Sequence, residues 1–180
     1  CSFHIEEREK AAIVGINGAG KSTLLKIIMG ELAADDGQVI ITKGKTIGCL
    51  AQHQEMESNG TIFQELVTVK QDVLDLEARI RSLELSMKHA EGAELQELMD
   101  NYARLNHDFE QKNGYAWKSE ITGVLKGLGF SEEDFEKHVN TLSGGQKTRV
   151  SLGKLLLSRP DIIMLDEPTN HLDMDSIAWL

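Results

Sequence analysis

The residues with the clearest chemical meaning lie in a glycine-rich segment near the start of the chain. Residues 15–22 read GINGAGKS, which fits the pattern G-x-x-x-x-G-K-[ST]. Glycines let the backbone curl so that its N–H groups face a phosphate, and a helix beginning near Lys21 adds the positive end of its dipole. We expect Lys21 to contact the β- and γ-phosphates and Ser22 to offer its hydroxyl to Mg²⁺. The predicted nucleotide-binding residues here are Asn17, Gly18, Ala19, Gly20, Lys21, Ser22 and Thr23.

A pair of acidic residues follows an apolar run late in the chain. Residues 162–165 read IIML and are followed by Asp166 and Glu167. Ligands of open α/β sheets bind at the carboxyl ends of the strands, which is where this pair would lie. Asp166 can hold Mg²⁺ through a water, and Glu167 can polarise the attacking water as a general base. On its own the pair could equally be a solvated acidic turn, but the phosphate-binding pattern upstream favours catalysis.

A second glycine motif, LSGGQ at residues 142–146, precedes a predicted helix. A serine and two glycines at a helix start can bind an anion, although alone they would be an unremarkable helix cap. Two phosphate-binding loops with one Mg²⁺ carboxylate are odd for a monomer. We therefore expect this second loop to close on the γ-phosphate of a nucleotide held by another copy of the domain. The residues predicted to do so are Ser143, Gly144, Gly145 and Gln146.

A weaker candidate is Gln52, which lies where a predicted strand gives way to a loop. Its neutral amide could ligate Mg²⁺ and sense the γ-phosphate. Gln54 is close enough to be confused with it, and an isolated glutamine more often has no such role.

Several short apolar runs predict the strands and helices that would position these motifs. Residues 11–14, 39–41, 46–51 and 162–165 have the length and composition of strands, and turn signals flank the second of them. Helices are predicted at 21–30, at 115–128 and from the LSGGQ motif to about Ser158, with a break at Arg159-Pro160. This alternation predicts an α/β fold, and the glycine loop indicates the P-loop NTPase type.

The middle of the chain has a different periodicity. Apolar residues alternate in steps of three and four, which is the seam of a coiled coil. The seam residues are Leu66, Val69, Val73, Leu76, Ile80, Leu83 and Met87, then Leu95, Leu98, Tyr102, Leu105 and Phe109. Residues 88–93 contain a glycine and interrupt it. The pattern predicts an inserted antiparallel coiled-coil hairpin, favoured by its narrow stripe over two amphipathic helices lying on the core.

Composition limits the class of protein. The 180 residues suffice for one domain with an insertion, and we expect 1–60 and 114–180 to form the core and 61–113 the hairpin. The net charge of −10 argues against bulk nucleic-acid binding. The sequence contains no apolar run long enough to span a bilayer and no signal pattern, and its two cysteines suggest a reducing, cytoplasmic compartment. A first residue other than Met suggests a piece of a longer protein.

The motifs together resemble the nucleotide-binding domain of ATP-binding-cassette (ABC) proteins. The glycine loop, Gln52, LSGGQ and the acidic pair occur in that family's order, and Asp173 matches its D-loop. The strings EPTNHLD at 167–173 and QKTRV at 146–150 resemble the ABC-F subfamily. Cys49 stands where that subfamily often has an aromatic residue, which puts local strand packing in doubt. The family's adenine-stacking aromatic residue would precede Cys1, and its switch histidine would follow Leu180.

The resemblance implies an α/β fold of the ABC type with a helical subdomain. It implies an ATPase that uses ATP and Mg²⁺, with Ser22, Gln52 and Asp166 around the metal and Glu167 as the catalytic base. It also implies a second cassette on the same chain, which completes the active site in trans, and no transmembrane domain. In ABC-F proteins an arm, here at about 64–113, reaches ribosomal RNA and tRNA. ATP binding closes the two domains, and hydrolysis times release.

Two other classes stay open at this point. The chain could be the ATPase domain of a membrane transporter or, less plausibly, a DNA-maintenance ATPase whose coiled coils are far longer. The charge of the hairpin does not decide between them, because residues 65–112 carry six lysines and arginines against eleven acidic residues. A net charge of −5 is poor for generic RNA binding and fits a solvated helical face. Arg79, Arg81, Lys88 and His89 lie toward the tip and could form a small basic contact.

Overall fold

A computed structural model describes residues 2–50 and 59–166, so the predicted roles of Gln52, Glu167 and Asp173 lie outside the described residues. The helices are α1 (Lys21–Ile28), α2 (Ile62–Val67), α3 (Gln71–Met87), α4 (Gly92–Gln111), α5 (Trp117–Gly127) and α6 (Gly144–Ser158). The strands are β1 (Ile47–Leu50) and β2 (Ile162–Leu165). Short 3₁₀ turns occupy Thr68–Lys70, Gly114–Ala116, Glu132–Asp134 and Val139–Thr141.

The two strands pair in parallel, with Ile47 opposite Ile162 and Leu50 opposite Leu165. The ladder is extended at its far end, where the Asp166 N–H donates to the Leu50 carbonyl at 3.3 Å. Both strands therefore end at the same edge. The chain leaves this edge toward Gln52 from one strand and through Asp166 from the other, as the strand predictions at 46–51 and 162–165 require.

The strands predicted at 11–14 and 39–41 are not strands in the structure. Val14 is 91% exposed and Ile40 is 80% exposed, and Ile162 and Ile163 of β2 are exposed rather than buried. An apolar run becomes a buried strand only where neighbouring strands pair with its backbone and helices cover its faces. Neither condition is met at 11–14 or 39–41 within the described residues.

The main core lies between α2, α5 and α6. Ile62, Leu66, Ile121 and Leu125 are completely buried there, together with Leu152 of α6. Thr61 and Gln64 form a capping box, since the Gln64 N–H donates to Thr61 Oγ1 and the Thr61 N–H donates to Gln64 Oε1. These contacts fix the start of α2, and α2 packs on the helix that follows the LSGGQ motif.

Helices α3 and α4 form an antiparallel hairpin with its own apolar cluster. Val73, Ile80, Leu105 and Phe109 are buried in this cluster, which is separate from the main core. Near the tip the Tyr102 hydroxyl donates to Glu84 at 3.2 Å, and at the root Lys112 pairs with Asp72. The two helices therefore bury their apolar faces against each other.

The predicted seam does not extend back to Leu66 and Val69. Leu66 is buried in the main core and Val69 packs against that core, because the 3₁₀ turn at Thr68–Lys70 separates α2 from α3. Trp117 packs against both clusters and lies between the hairpin and the core. The hairpin helices run from Gln71 to Gln111, and the division of the chain at 60 and 113 stays a prediction.

Candidate functional site

The glycine loop curls immediately before α1, as its sequence predicts. Gly18 and Gly20 have φ angles of 81° and 88°, a region that favours glycine because it has no Cβ. The Ala19 N–H donates to the Ile16 carbonyl at 3.1 Å and closes a tight turn. Gly20 is the N-cap of α1, so the loop leads directly into the positive end of the helix.

Lys21 is held against this loop. Its Nζ donates to the carbonyls of Gly15 and Ile16 at 3.0 and 3.2 Å. A lysine at the first turn of an ordinary surface helix would extend into solvent. Here the loop carbonyls keep the ammonium at the loop, beside the start of α1.

The donors and acceptors of the loop fit a triphosphate and Mg²⁺. Within the described residues, no side chain caps the N-terminus of α1, where the first N–H groups of the helix point toward the loop. These groups and the Lys21 ammonium suit an anion. Ser22, which is half-buried in the first turn, offers the kind of oxygen that Mg²⁺ takes as a ligand.

Acidic groups surround the carboxyl edge of the sheet. Burial raises the pKa of the Cys49 thiol, and the nearby carboxylates of Glu31 and Asp166 raise it further. Glu31 follows α1 and Asp166 follows β2, so two elements bring negative charge to this edge, beside the thiol of Cys49 in β1. Such an edge suits a cation. Gln52 and Glu167 follow these strands in the sequence and lie outside the described residues.

The LSGGQ motif forms the capped start of α6. Gln146 N–H donates to Ser143 Oγ at 3.3 Å, and Ser143 N–H donates to Gln146 Oε1 at 3.0 Å. This capping box starts the helix at Gly144, inside the motif that the sequence suggested was a loop. Ser143 and Gly144 are exposed, so the start of the helix is accessible from outside the chain.

Sequence reasoning missed Asp161, which aligns the two strands. Its carboxylate accepts hydrogen bonds from the Thr46 N–H and hydroxyl, both at 2.9 Å, and from Lys45 Nζ at 3.0 Å. The Thr46 and Lys45 donors lower the pKa of Asp161 to about 2. Nothing local in the sequence marks this residue, because its partners lie more than a hundred positions away.

Comparison with known proteins agrees with this geometry. The family model described as ABC transporter matches residues 1–170. The chain belongs to the ABC family. It is 49% identical over 178 residues to the ATP-binding protein YdiF of Bacillus subtilis, covering 99% of this chain and 28% of YdiF. It is 34% identical over 182 residues to ABC transporter F family member 5 of Arabidopsis thaliana, covering 99% and 26% of the two chains.

A solved structure shares the fold of this ABC cassette. It is the archaeal ribosome recycling factor aABCE1 in complex with the ribosomal stalk protein aP1, with a TM-score of 0.54 and 25% identity. The match covers 92% of this chain and 24% of the other. The cassette thus spans about a quarter of the length of these relatives.

These comparisons confirm the ABC-type P-loop NTPase fold and the resemblance to ABC-F proteins. Cassettes of this family bind ATP, typically with Mg²⁺, and hydrolyse it. Among the residues that the structure describes, no helix is both long and apolar enough to cross a membrane.

Proposed function

We propose that this cassette binds and hydrolyses ATP within an ABC-F protein that acts on ribosomes, with a second cassette completing its active site. The observation that carries the proposal is the self-packed helical hairpin between the predicted positions of Gln52 and the LSGGQ motif. The likeness to an F family member extends over nearly the whole chain, hairpin included. The proposal implies a cytoplasmic protein, since ribosomes work there.

The hairpin is suited to act as the arm of such a protein. Helices of 17 and 20 residues have lengths of about 25–30 Å, and the buried cluster between them supports the proposal that they act together as an arm. Because the hairpin is acidic as a whole, contact with ribosomal RNA or tRNA would be local, through Lys88 and His89 at the tip. The similar structure of aABCE1, an archaeal ribosome recycling factor, supports this partner class.

Within the cassette, each predicted residue has one task. The glycine loop and Lys21 would hold the phosphates of ATP, and Ser22, Gln52 and Asp166 would hold the metal. Mg²⁺ supplies charge neutralisation at the transferring phosphoryl group when it is bound. Glu167 would accept a proton from the water that attacks the γ-phosphate.

The remaining predicted residues act between cassettes. Ser143, Gly144, Gly145 and Gln146 would cover the γ-phosphate held by the partner cassette, and Asp173 would contact that cassette through the D-loop. The exposed start of α6 supports this assignment, because the motif is open to another molecule. Closure would clamp ATP between two cassettes, and hydrolysis would release the clamp.

The decisive experiment uses Glu167→Gln in the longer protein that carries this chain. We expect the variant to bind ATP, to hydrolyse it at least about 100-fold more slowly, and to co-sediment with ribosomes when ATP is present. The matched control adds Lys21→Ala, which should abolish the ATP-dependent co-sedimentation.

If neither the Glu167→Gln variant nor the variant that adds Lys21→Ala binds ribosomes, and both associate with membrane vesicles instead, the transporter alternative is favoured. Unchanged turnover in Glu167→Gln would remove the proposed catalytic base. A tip variant, Lys88→Glu with His89→Ala, should weaken ribosome binding and leave basal hydrolysis unchanged.

A further inference from the structure

One carboxylate, Glu120 in the first turn of α5, is bound by residues from three other parts of the fold. Lys70 Nζ donates to its Oε2 at 2.8 Å. Asn113 Nδ2 and Arg159 Nη2 donate to its Oε1 at 2.8 and 3.0 Å. No task in the proposed ATPase cycle uses this cluster.

The partners of Glu120 lie where the hairpin joins the core. Lys70 ends the 3₁₀ turn that leads into α3, and Asn113 follows α4, so both roots of the hairpin meet at one side chain. Asn113 has a φ of 55°, which marks a sharp change of chain direction there. Glu120 therefore binds both roots of the hairpin at the point where the hairpin leaves the core.

The cluster is partly shielded from solvent, which strengthens its ion pairs. The side chains of Glu120 and Lys70 are only 16% and 12% exposed. Partial burial alone would raise the pKa of Glu120, but the hydrogen bonds from Lys70 and Asn113 outweigh it and hold the pKa below its ordinary value. The carboxylate thus stays charged, and shielding from solvent limits screening of its ion pairs.

The third partner, Arg159, connects the cluster to the strands. Arg159 is the C-cap of α6, and the next two residues both contact the start of β1. A Cβ placed on Gly48 would lie 2.7 Å from Pro160 Cγ, so Pro160 packs directly on that strand. Asp161 holds Thr46 and Lys45 by the hydrogen bonds described above.

Three consecutive residues, Arg159, Pro160 and Asp161, therefore join the hairpin roots to β1 and then continue into β2. These are the strands from which the chain leaves toward Gln52 and Asp166. A rotation of the hairpin about its roots has to shift Glu120 or break its bonds to Lys70 and Asn113. A shift of Glu120 reaches Arg159, which is bonded to the same carboxylate and precedes Pro160 and Asp161.

We propose that Glu120 is a positioning residue: it fixes the hairpin to the Arg159–Pro160–Asp161 segment, so that the orientation of the hairpin and the placement of the catalytic strand ends are coupled. The geometric part of this proposal depends only on the fold. Its kinetic part depends on the proposed ATPase function.

The geometric part is tested by a distance measurement between spin labels. Lys43→Cys, just before β1, and Lys88→Cys, at the hairpin tip, are both exposed positions. With Cys1 and Cys49 replaced by serine, we expect a narrow distance distribution that broadens in Glu120→Gln. Arg159→Gln, which alters an exposed side chain and so spares folding, should broaden the distribution in the same direction.

The kinetic part is tested in the longer protein that carries this chain. Glu120→Gln should lower kcat for ATP by about threefold to tenfold, while KM for ATP changes by less than about twofold. The matched control is Glu132→Gln, which removes an exposed carboxylate that pairs with Lys126 at 2.6 Å in the same region. It should change neither the distances nor kcat.

A purely structural role would lower the unfolding temperature of Glu120→Gln but leave the distance distribution of the folded molecules unchanged, and that result would overturn the proposal. So would an unchanged kcat in both Glu120→Gln and Arg159→Gln when the distances broaden. If the wild-type protein does not hydrolyse ATP, the proposed function fails, and the distance measurement still decides the geometric part.

Discussion

At the scale of single residues, two charged side chains in this cassette are held by specific hydrogen bonds. Lys21 has its ammonium held at the glycine loop by two carbonyls, and Asp161 aligns two strands through three hydrogen bonds. Both are charged groups with fixed partners. Substitution of Lys21 should therefore change ATP affinity, and substitution of Asp161 should change stability, more than substitution of an exposed lysine or aspartate would.

Replacing Lys21 by alanine should weaken ATP binding by roughly 10- to 100-fold, because charge-assisted hydrogen bonds to phosphate are lost. Isothermal titration with a non-hydrolysable ATP analogue measures the change in Kd. Lys26→Ala, an exposed lysine of the same helix, is the control and should bind normally. Equal affinity in the Lys21 variant would contradict the phosphate-binding role.

The contribution of Asp161 to the stability of the fold should depend on pH. Its folded pKa of about 2 lies below the ordinary value of about 3.9, so its stabilisation is fully present above about pH 5 and disappears as pH falls toward 2. In urea unfolding, Asp161→Asn should be less stable than the wild type at neutral pH, and the two should converge near pH 2. A stability difference that persists undiminished at pH 2 would argue against this ion pair.

At the scale of elements, the hairpin is a unit with its own buried cluster. Its apolar residues meet across α3 and α4, and Phe109 also packs edge-to-face on Tyr115, with ring centroids 5.0 Å apart. The root is tightly packed, because a Cβ on Gly114 would lie 2.5 Å from the Phe109 ring. The stability of the hairpin should therefore respond to its inner face far more than to its outer face.

Ile80→Ala and Leu85→Ala compare the two faces of α3. Ile80 is buried in the cluster, whereas Leu85 is 61% exposed. The first substitution should lower the free energy of unfolding by about 2–5 kcal/mol, and the second by less than about 0.5 kcal/mol. Chemical denaturation followed by helical circular dichroism measures both. Similar losses in the two variants would mean that the hairpin does not bury this face.

At the scale of the whole molecule, the two motifs predicted to bind phosphate lie at the starts of different helices. The glycine loop precedes α1, and the LSGGQ motif contains the N-cap and first turn of α6, where Ser143 and Gly144 are exposed. If one active site needs the glycine loop of one cassette and the LSGGQ motif of another, this chain alone should hydrolyse ATP slowly. Its rate per molecule should rise with protein concentration.

Mixing two inactive variants tests whether one active site takes its glycine loop from one copy and its LSGGQ motif from another. Glu167→Gln keeps a normal LSGGQ motif, and Ser143→Ala keeps a normal catalytic glutamate, so a mixed pair has one complete site. Equal mixing should restore up to about a quarter of the wild-type rate, since half of the pairs are mixed and each has one working site. Mixing Glu167→Gln with Lys21→Ala is the control and should restore nothing. Equal rates in both mixtures would exclude completion in trans.

The sequence by itself determined the local features of this protein. The glycine loop, the LSGGQ cap, the capping box at Thr61 and the heptad pattern of α3 and α4 follow from residue types at short spacing, because turns, caps and helix faces are set by near neighbours. The motifs and their order also identified the family, which the family model confirms.

Only the tertiary structure decided how these pieces meet. The apolar runs at 11–14 and 39–41 have strand composition but do not form strands, since a strand depends on partners far away in the chain. Leu66 belongs to the main core despite its place in the heptad pattern, because a 3₁₀ turn intervenes. Asp161 and Glu120 gain their roles from partners up to 116 residues away, and no local pattern encodes contacts at that separation.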